Sequence, residues 1–109
     1  MSAHHDDLVR SIRLYISKIG GVTVGVDTPG LLFDRNGKPR RVGVKGTLDI
    51  AATIKGRAVW VDAKTGKDRL KPEQVNFCNA QSKAGGIAFA AWSVDDVAAR
   101  LAMEGLIDG

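Results

Sequence analysis

Asp49 is followed, after twelve intervening residues, by Asp62-Ala63-Lys64, so two carboxylates and an ammonium meet if the chain between them folds back on itself. Lys55-Gly56 lies midway and suits a two-residue hairpin turn. Ile54 then faces Arg57. The same register sets Leu48 by Ala63, Ile50 by Val61 and Ala52 by Val59, an unbroken apolar face. The other face carries Thr47 by Lys64, Asp49 by Asp62 and Ala51 by Trp60. A slip of one residue would scramble that division, so the pattern itself supports the register. Asp49 and Asp62 then lie directly across from each other with β-carbons about 5 Å apart, where like charges destabilise unless something positive sits between them. Lys64 points to the same face and helps. A divalent cation satisfies the pair better, because Mg²⁺ is bound by one or two carboxylates together with waters and phosphate oxygens. A second reading stays open from these residues alone, in which both aspartates are exposed and paired with nearby lysines.

The hairpin needs a scaffold, and the flanking segments supply one. Leu8, Ile12, Tyr15, Ile16 and Ile19 follow one face of a helix, with Asp6 and Asp7 at its start and Gly20-Gly21 at its end. Val22, Val24 and Val26 alternate as a short strand. Asp27 to Arg41 carries Pro29, Gly30, Asn36-Gly37 and Pro39 and reads as a long loop or a loose hairpin. Two strands follow, about Thr47–Ile54 and Arg57–Lys64. Pro72 opens a helix to about Ala84, Gly85-Gly86 stops it, and Ile87–Trp92 is an apolar strand. Ser93 with Asp96 forms a capping-box signature for a last helix faced by Val94, Val97, Ala98 and Leu101. The order is α-β-β-β-α-β-α, an α/β sandwich on a mixed central sheet flanked by helices. Gln74 shares a helix face with Phe77, Cys78 and Gln81. A polar residue there needs a partner, either Lys64, a metal-bound water or a phosphate, or else the backbone of the helix's first turn.

At 109 residues, the chain is expected to form one domain, residues 1–109. No apolar run approaches a membrane span, and charges stud residues 1–20, so no signal peptide is expected. The single cysteine, Cys78, excludes a disulfide framework or a zinc ribbon, reads as a small core residue, and points to a reducing, cytoplasmic setting. His4 and His5 precede the first helix and are expected to play no role. Between Asp34 and Lys45 stand five bases (Arg35, Lys38, Arg40, Arg41, Lys45) and one acid, which accounts for the whole net charge of +4. From Asp34 to Lys71, which also spans Lys67 and Arg69, there are 11 bases against 4 acids. A basic surround of an acidic pair suits a phosphate-bearing polymer, held mainly through its backbone. Trp60 beside Asp62 is placed to stack on a base or simply to pack.

The run Gly46-Thr47-Leu48-Asp49, followed by Asp62-Ala63-Lys64, resembles the D…(D/E)-x-K signature of the PD-(D/E)XK nucleases. Thr65-Gly66, Leu70, Gln74, Phe77, Gly85-Gly86 and Ser93-Val94-Asp95-Asp96 are similar to the VRR-NUC branch of that superfamily. The resemblance runs from Leu8 to Leu101. It departs from the family at Asp62, where Glu is more frequent, and at the first-helix acid, for which Asp6 or Asp7 is the nearest counterpart.

The resemblance implies a restriction-endonuclease-like core and a stand-alone, phage- or prophage-type endonuclease that hydrolyses DNA with Mg²⁺ or Mn²⁺. The metal would be held by Asp49, Asp62 and the Ala63 carbonyl. Catalysis would fall to Asp49, Asp62, Lys64 and Gln74, with Lys64 orienting or deprotonating the attacking water or neutralising transition-state charge. DNA contacts would come from Arg35, Lys38, Arg40, Arg41, Lys45, Lys67 and Arg69. Stand-alone members look like Holliday-junction resolvases, which implies a homodimer acting on branched DNA. A non-catalytic DNA-binding module of the same fold, and a structural protein with a surface charge network, are the competing expectations.

Overall fold

A two-residue turn at Lys55 and Gly56, both with positive φ, joins the two strands around which the molecule is built. These are β4 (Ile50–Ile54) and β5 (Arg57–Ala63), antiparallel with Ile50 opposite Val61, Ala52 opposite Val59 and Ile54 opposite Arg57. That is the register expected from the alternation of apolar residues. Lys55 adopts a left-handed conformation at a cost of roughly 1–2 kcal/mol. The apolar cross-strand pairs on the buried face offset it.

The computed structural model describes residues 3–26, 31–33, 35–41 and 46–108, with side chains left aside at 3, 31–33 and 39–41. Helix α1 (Ala3–Lys18) leads into β1 (Val22–Gly25). The small antiparallel pair β2 (Leu31–Phe33) and β3 (Pro39–Arg41) gives the loop region the hairpin form that was one of its two expected readings. After β4 and β5 come α2 (Pro72–Lys83), β6 (Ile87–Ala91) and α3 (Val94–Met103). The main sheet runs β1-β4-β5-β6, with β5 and β6 parallel and the other pairs antiparallel. A parallel pair needs a crossover, and α2 provides it. Leaving the small pair aside, the element order is the α-β-β-β-α-β-α expected.

Alternation sorts the sheet into two faces. Ile50, Ile54, Val59, Val61, Ile87 and Phe89 point into one core with Ile12 and Ile16 of α1 and Val97 and Leu101 of α3. Trp60 points to the opposite face, where its ring meets Phe77 of α2 edge-on, centroids 5.0 Å apart. The packing reading of Trp60 therefore holds. α2 buries no residue fully, and Cys78 is only half-buried rather than a core residue. Among the described residues no helix is long and apolar enough to cross a membrane.

Several boundaries differ from expectation, three of them beside the aspartate pair. α1 begins at Ala3, so His4 and His5 lie in its first turn. β4 begins at Ile50 rather than Thr47, and β5 ends at Ala63 rather than Lys64. The β4–β5 ladder gives way where the aspartate carboxylates replace carbonyl acceptors, as the site geometry shows. At Gly46, φ is +87° and an added β-carbon would lie 2.2 Å from the Glu73 carbonyl oxygen. Only glycine lets the segment leading to Asp49 pass this close to the first turn of α2.

Candidate active site

The end of the β4–β5 hairpin is closed by side chains. Asp62 Oδ1 accepts a hydrogen bond from the Asp49 amide at 3.2 Å, and Asp49 Oδ2 accepts one from the Ala63 amide at 3.2 Å. Each carboxylate is thus pinned to the backbone of the opposite strand, and the two acids face one another across the hairpin. Asp62 is 3% exposed. Lys64 lies just beyond β5, where its amide continues the parallel pairing by donating to the Ala91 carbonyl. Its Nζ stands 2.9 Å from Asp62 Oδ2 and donates to Gln74 Oε1 at 3.2 Å. The same Gln74 oxygen accepts the Lys71 amide at 2.9 Å. Both expected partners of Gln74, Lys64 and the first-turn backbone, are therefore real. One oxygen ties the helix start to the lysine.

His5 completes the group. Its Nε2 lies 3.1 Å from Asp49 Oδ2, and its side chain is 19% exposed. Asp6 and Asp7 do not reach the site: both side chains are more than half exposed, and Asp7 pairs with Arg10 at 3.2 Å. The expectation that His5 has no role is overturned by this contact. A readable signal existed, because His5 lies three residues before Leu8 and seven before Ile12, on the apolar stripe of α1. Asp6 and Asp7 are off that stripe.

These residues enclose a cleft of about 340 Å³. Arg69 and Lys71 stand at its rim, Arg69 with its guanidinium 5.5 Å from the Trp92 ring centroid. Lys67 is exposed on the same loop, and Arg35 and Lys38 are exposed at the turn between β2 and β3. Lys71 is a rim cation that sequence reasoning missed. Lys45 and the side chains of Arg40 and Arg41 lie outside the described residues.

Burial, and then the charge of Asp62, raise the Asp49 carboxyl above its ordinary 3.8, against the opposing pull of His5 and the Ala63 amide. A carboxyl raised in the native state binds protons more readily there than in the unfolded chain. The stability it contributes is full below about 3.8 and is lost as pH rises through its native value. Urea unfolding in chelator should therefore show wild type losing stability relative to Asp49→Asn as pH climbs through that window. Parallel pH profiles for the two proteins would contradict the raised Asp49 carboxyl.

Among the described residues no three His, Cys, Asp or Glu side chains are grouped so as to hold a metal ion. By chemistry, two facing carboxylates and a backbone carbonyl are hard oxygen donors of the kind Mg²⁺ takes alongside waters, so the residue types suit an open site that two side chains and solvent would complete.

The sequence matches no family model and no curated protein. Among solved structures it is similar to one described as a VRR_NUC domain, with a TM-score of 0.66 and 16% identity. The likeness covers 97% of this chain and 100% of that one. At such identity it establishes the fold alone: the chain has the architecture of that VRR_NUC domain.

Proposed function

We propose that this chain, on its VRR_NUC-type fold, is a divalent-metal-dependent deoxyribonuclease that hydrolyses phosphodiester bonds in branched DNA. The observation that carries the reading is the interlocked pair Asp49 and Asp62, with Lys64 braced between Asp62 and Gln74. Asp49, Asp62 and the Ala63 carbonyl would hold Mg²⁺ or Mn²⁺. Bound there, the cation would lower the pKa of a water and draw on a phosphate oxygen.

The chain's own groups do the rest. Gln74 restrains the Lys64 ammonium, so its charge stays at the cleft, where a water or an equatorial phosphate oxygen would sit. Asp62 takes its share of that ammonium at Oδ2 and is held by the Asp49 amide at Oδ1, so its orientation is set before any ligand arrives. Lys67, Arg69, Lys71, Arg35 and Lys38, with Arg40, Arg41 and Lys45, would contact DNA phosphates and leave base sequence largely unread.

A homodimer would present two sites to a branched duplex. Val22 and Val24, exposed on the edge strand β1, offer apolar surface for self-association. The setting in this reading is the cytoplasm of a bacterial host, with a phage or prophage protein acting on junctions.

One observation favours the second reading, a DNA-binding module without catalysis. Lys64 already neutralises Asp62 Oδ2, and Asp62 is one methylene shorter than the Glu frequent in the family. Cleavage of labelled four-way junction, flap and linear duplex with Mg²⁺ or Mn²⁺ decides between them. The nuclease reading expects nicks that disappear in excess chelator. Tight junction binding with no cleavage in either metal would select the module.

A further inference from the structure

Among the described residues, a groove larger than the aspartate cleft lies beside it. It lies between α1 and β1, measures about 740 Å³, and shares His5 and Asp49 with the cleft, so the two are continuous. Its charge is graded along its length. The end at the cleft carries the acids, Asp49 and Asp6, while beyond Val9 the lining holds Arg10, Arg13, Ser17 and Thr23 and, among the described residues, no acid.

Arg10 is exposed and paired with Asp7. Arg13 differs. It is half-buried, its Nε donates to Thr23 Oγ1 at 2.9 Å, and no carboxylate among the described residues pairs with it. The backbone of β1 makes room for it, since a β-carbon added at Gly25 would lie 3.2 Å from Arg13 Nη1. An arginine anchored through Nε keeps its two terminal amino groups as a fixed pair of donors, the geometry that grips a phosphate. Eight residues of helix separate His5 from Arg13, about 12 Å at 1.5 Å per residue. That is a few nucleotides along a strand.

We propose that the α1–β1 groove is a second nucleic-acid site, which seats the sugar-phosphate backbone of the strand on one side of the reacting phosphate, with Arg13 as its phosphate contact. The inference rests on the nuclease reading and extends it. The far end of the groove, with Arg10 and Arg13 in its lining, attracts the polyanion, and its continuity with Asp49 delivers the strand to the cleft.

The test is DNA binding by the full chain, followed by fluorescence anisotropy of a labelled four-way junction in chelator, so that nothing is cut. Arg13→Ala and Arg13→Gln are compared with wild type across a salt series. Gln retains much of the side-chain stem, so agreement between the two variants excludes lost packing as the cause. Both should bind several-fold more weakly at low salt. The plot of log affinity against log salt should become shallower by about 0.9, one phosphate contact. A single neutral methylphosphonate, walked along the strand, should weaken wild type at one position and have no added effect there in Arg13→Gln. An unchanged salt slope in both variants would overturn the groove.

The two readings fail separately. If wild type cuts DNA and the Arg13 variants keep its slope, the groove alone falls. If wild type cuts nothing in any metal and the slope still drops, the groove stands and catalysis falls.

Discussion

Replacing Lys64 with Met should cost the metal-free protein about 3 kcal/mol at neutral pH, a large share of the stability of a domain this size. The Lys64 and Asp62 side chains are 12% and 4% exposed, so this is a buried ion pair rather than a solvated one. Breaking such a pair from one side leaves the other charge without compensation. Here the cost is compounded, because Asp62 then faces Asp49 with no cation between them. Gln74 loses its contact with the ammonium but keeps the Lys71 amide, so the start of α2 should survive. Urea unfolding in chelator measures the loss. Titrating Mg²⁺ or Mn²⁺ should then raise the midpoint of Lys64→Met more than that of wild type, since a cation in the variant replaces the missing charge. A loss under about 1 kcal/mol would mean that Lys64 is an ordinary surface charge, and the site would lose its central argument.

How far the site could be read in advance depended on which interactions set each part. The β4–β5 register was legible because two signals agreed: strict alternation of apolar residues and a turn pair midway. The direct opposition of Asp49 and Asp62 followed from it. What alternation could not reveal was that the ladder stops at Ile50 and Val61, because carboxylates there take the backbone amides that carbonyls would otherwise accept. Side-chain substitution for a ladder bond leaves no mark on hydrophobic periodicity.

His5 was missed for a different reason. By the helix dipole, the acidic dipeptide Asp6-Asp7 marks the helix start, which leaves His5 outside the helix. The first turn of α1 instead extends to Ala3, and packing of the Leu8, Ile12 and Ile16 stripe carries His5 onto Asp49. Tertiary packing outweighed a dipole preference worth well under 1 kcal/mol at an exposed terminus. Cys78 shows the opposite limit. Its helix face was identified correctly, but a pattern of residue types cannot say how closely a helix settles on a sheet. α2 touches the sheet through Phe77 and Trp60 and leaves the thiol half-exposed.

Removing one carboxylate at a time should separate catalysis from binding. In Asp62→Asn the cleft loses a charged oxygen donor while the amide keeps nearly the same shape. Lys64 is left without its partner, so some stability is lost, and activity is read on variant protein shown to be folded by circular dichroism. Cleavage in Mg²⁺ should fall by about a thousandfold or more, because electrostatic stabilisation at the reacting centre is the largest single term such sites supply. Asp49→Asn should do the same, and it also removes the half-buried carboxyl that burial and then the charge of Asp62 raise. DNA binding in chelator should move the other way. Each variant subtracts one negative charge from the path of a polyanion, so affinity should hold or rise modestly at low salt and converge with wild type as salt screens it. Single-turnover cleavage of a labelled junction, paired with anisotropy on the same substrate, reads both quantities. Full cleavage by Asp62→Asn would place the chemistry elsewhere. Loss of binding in step with cleavage would mean that the two acids shape the DNA surface rather than the reaction.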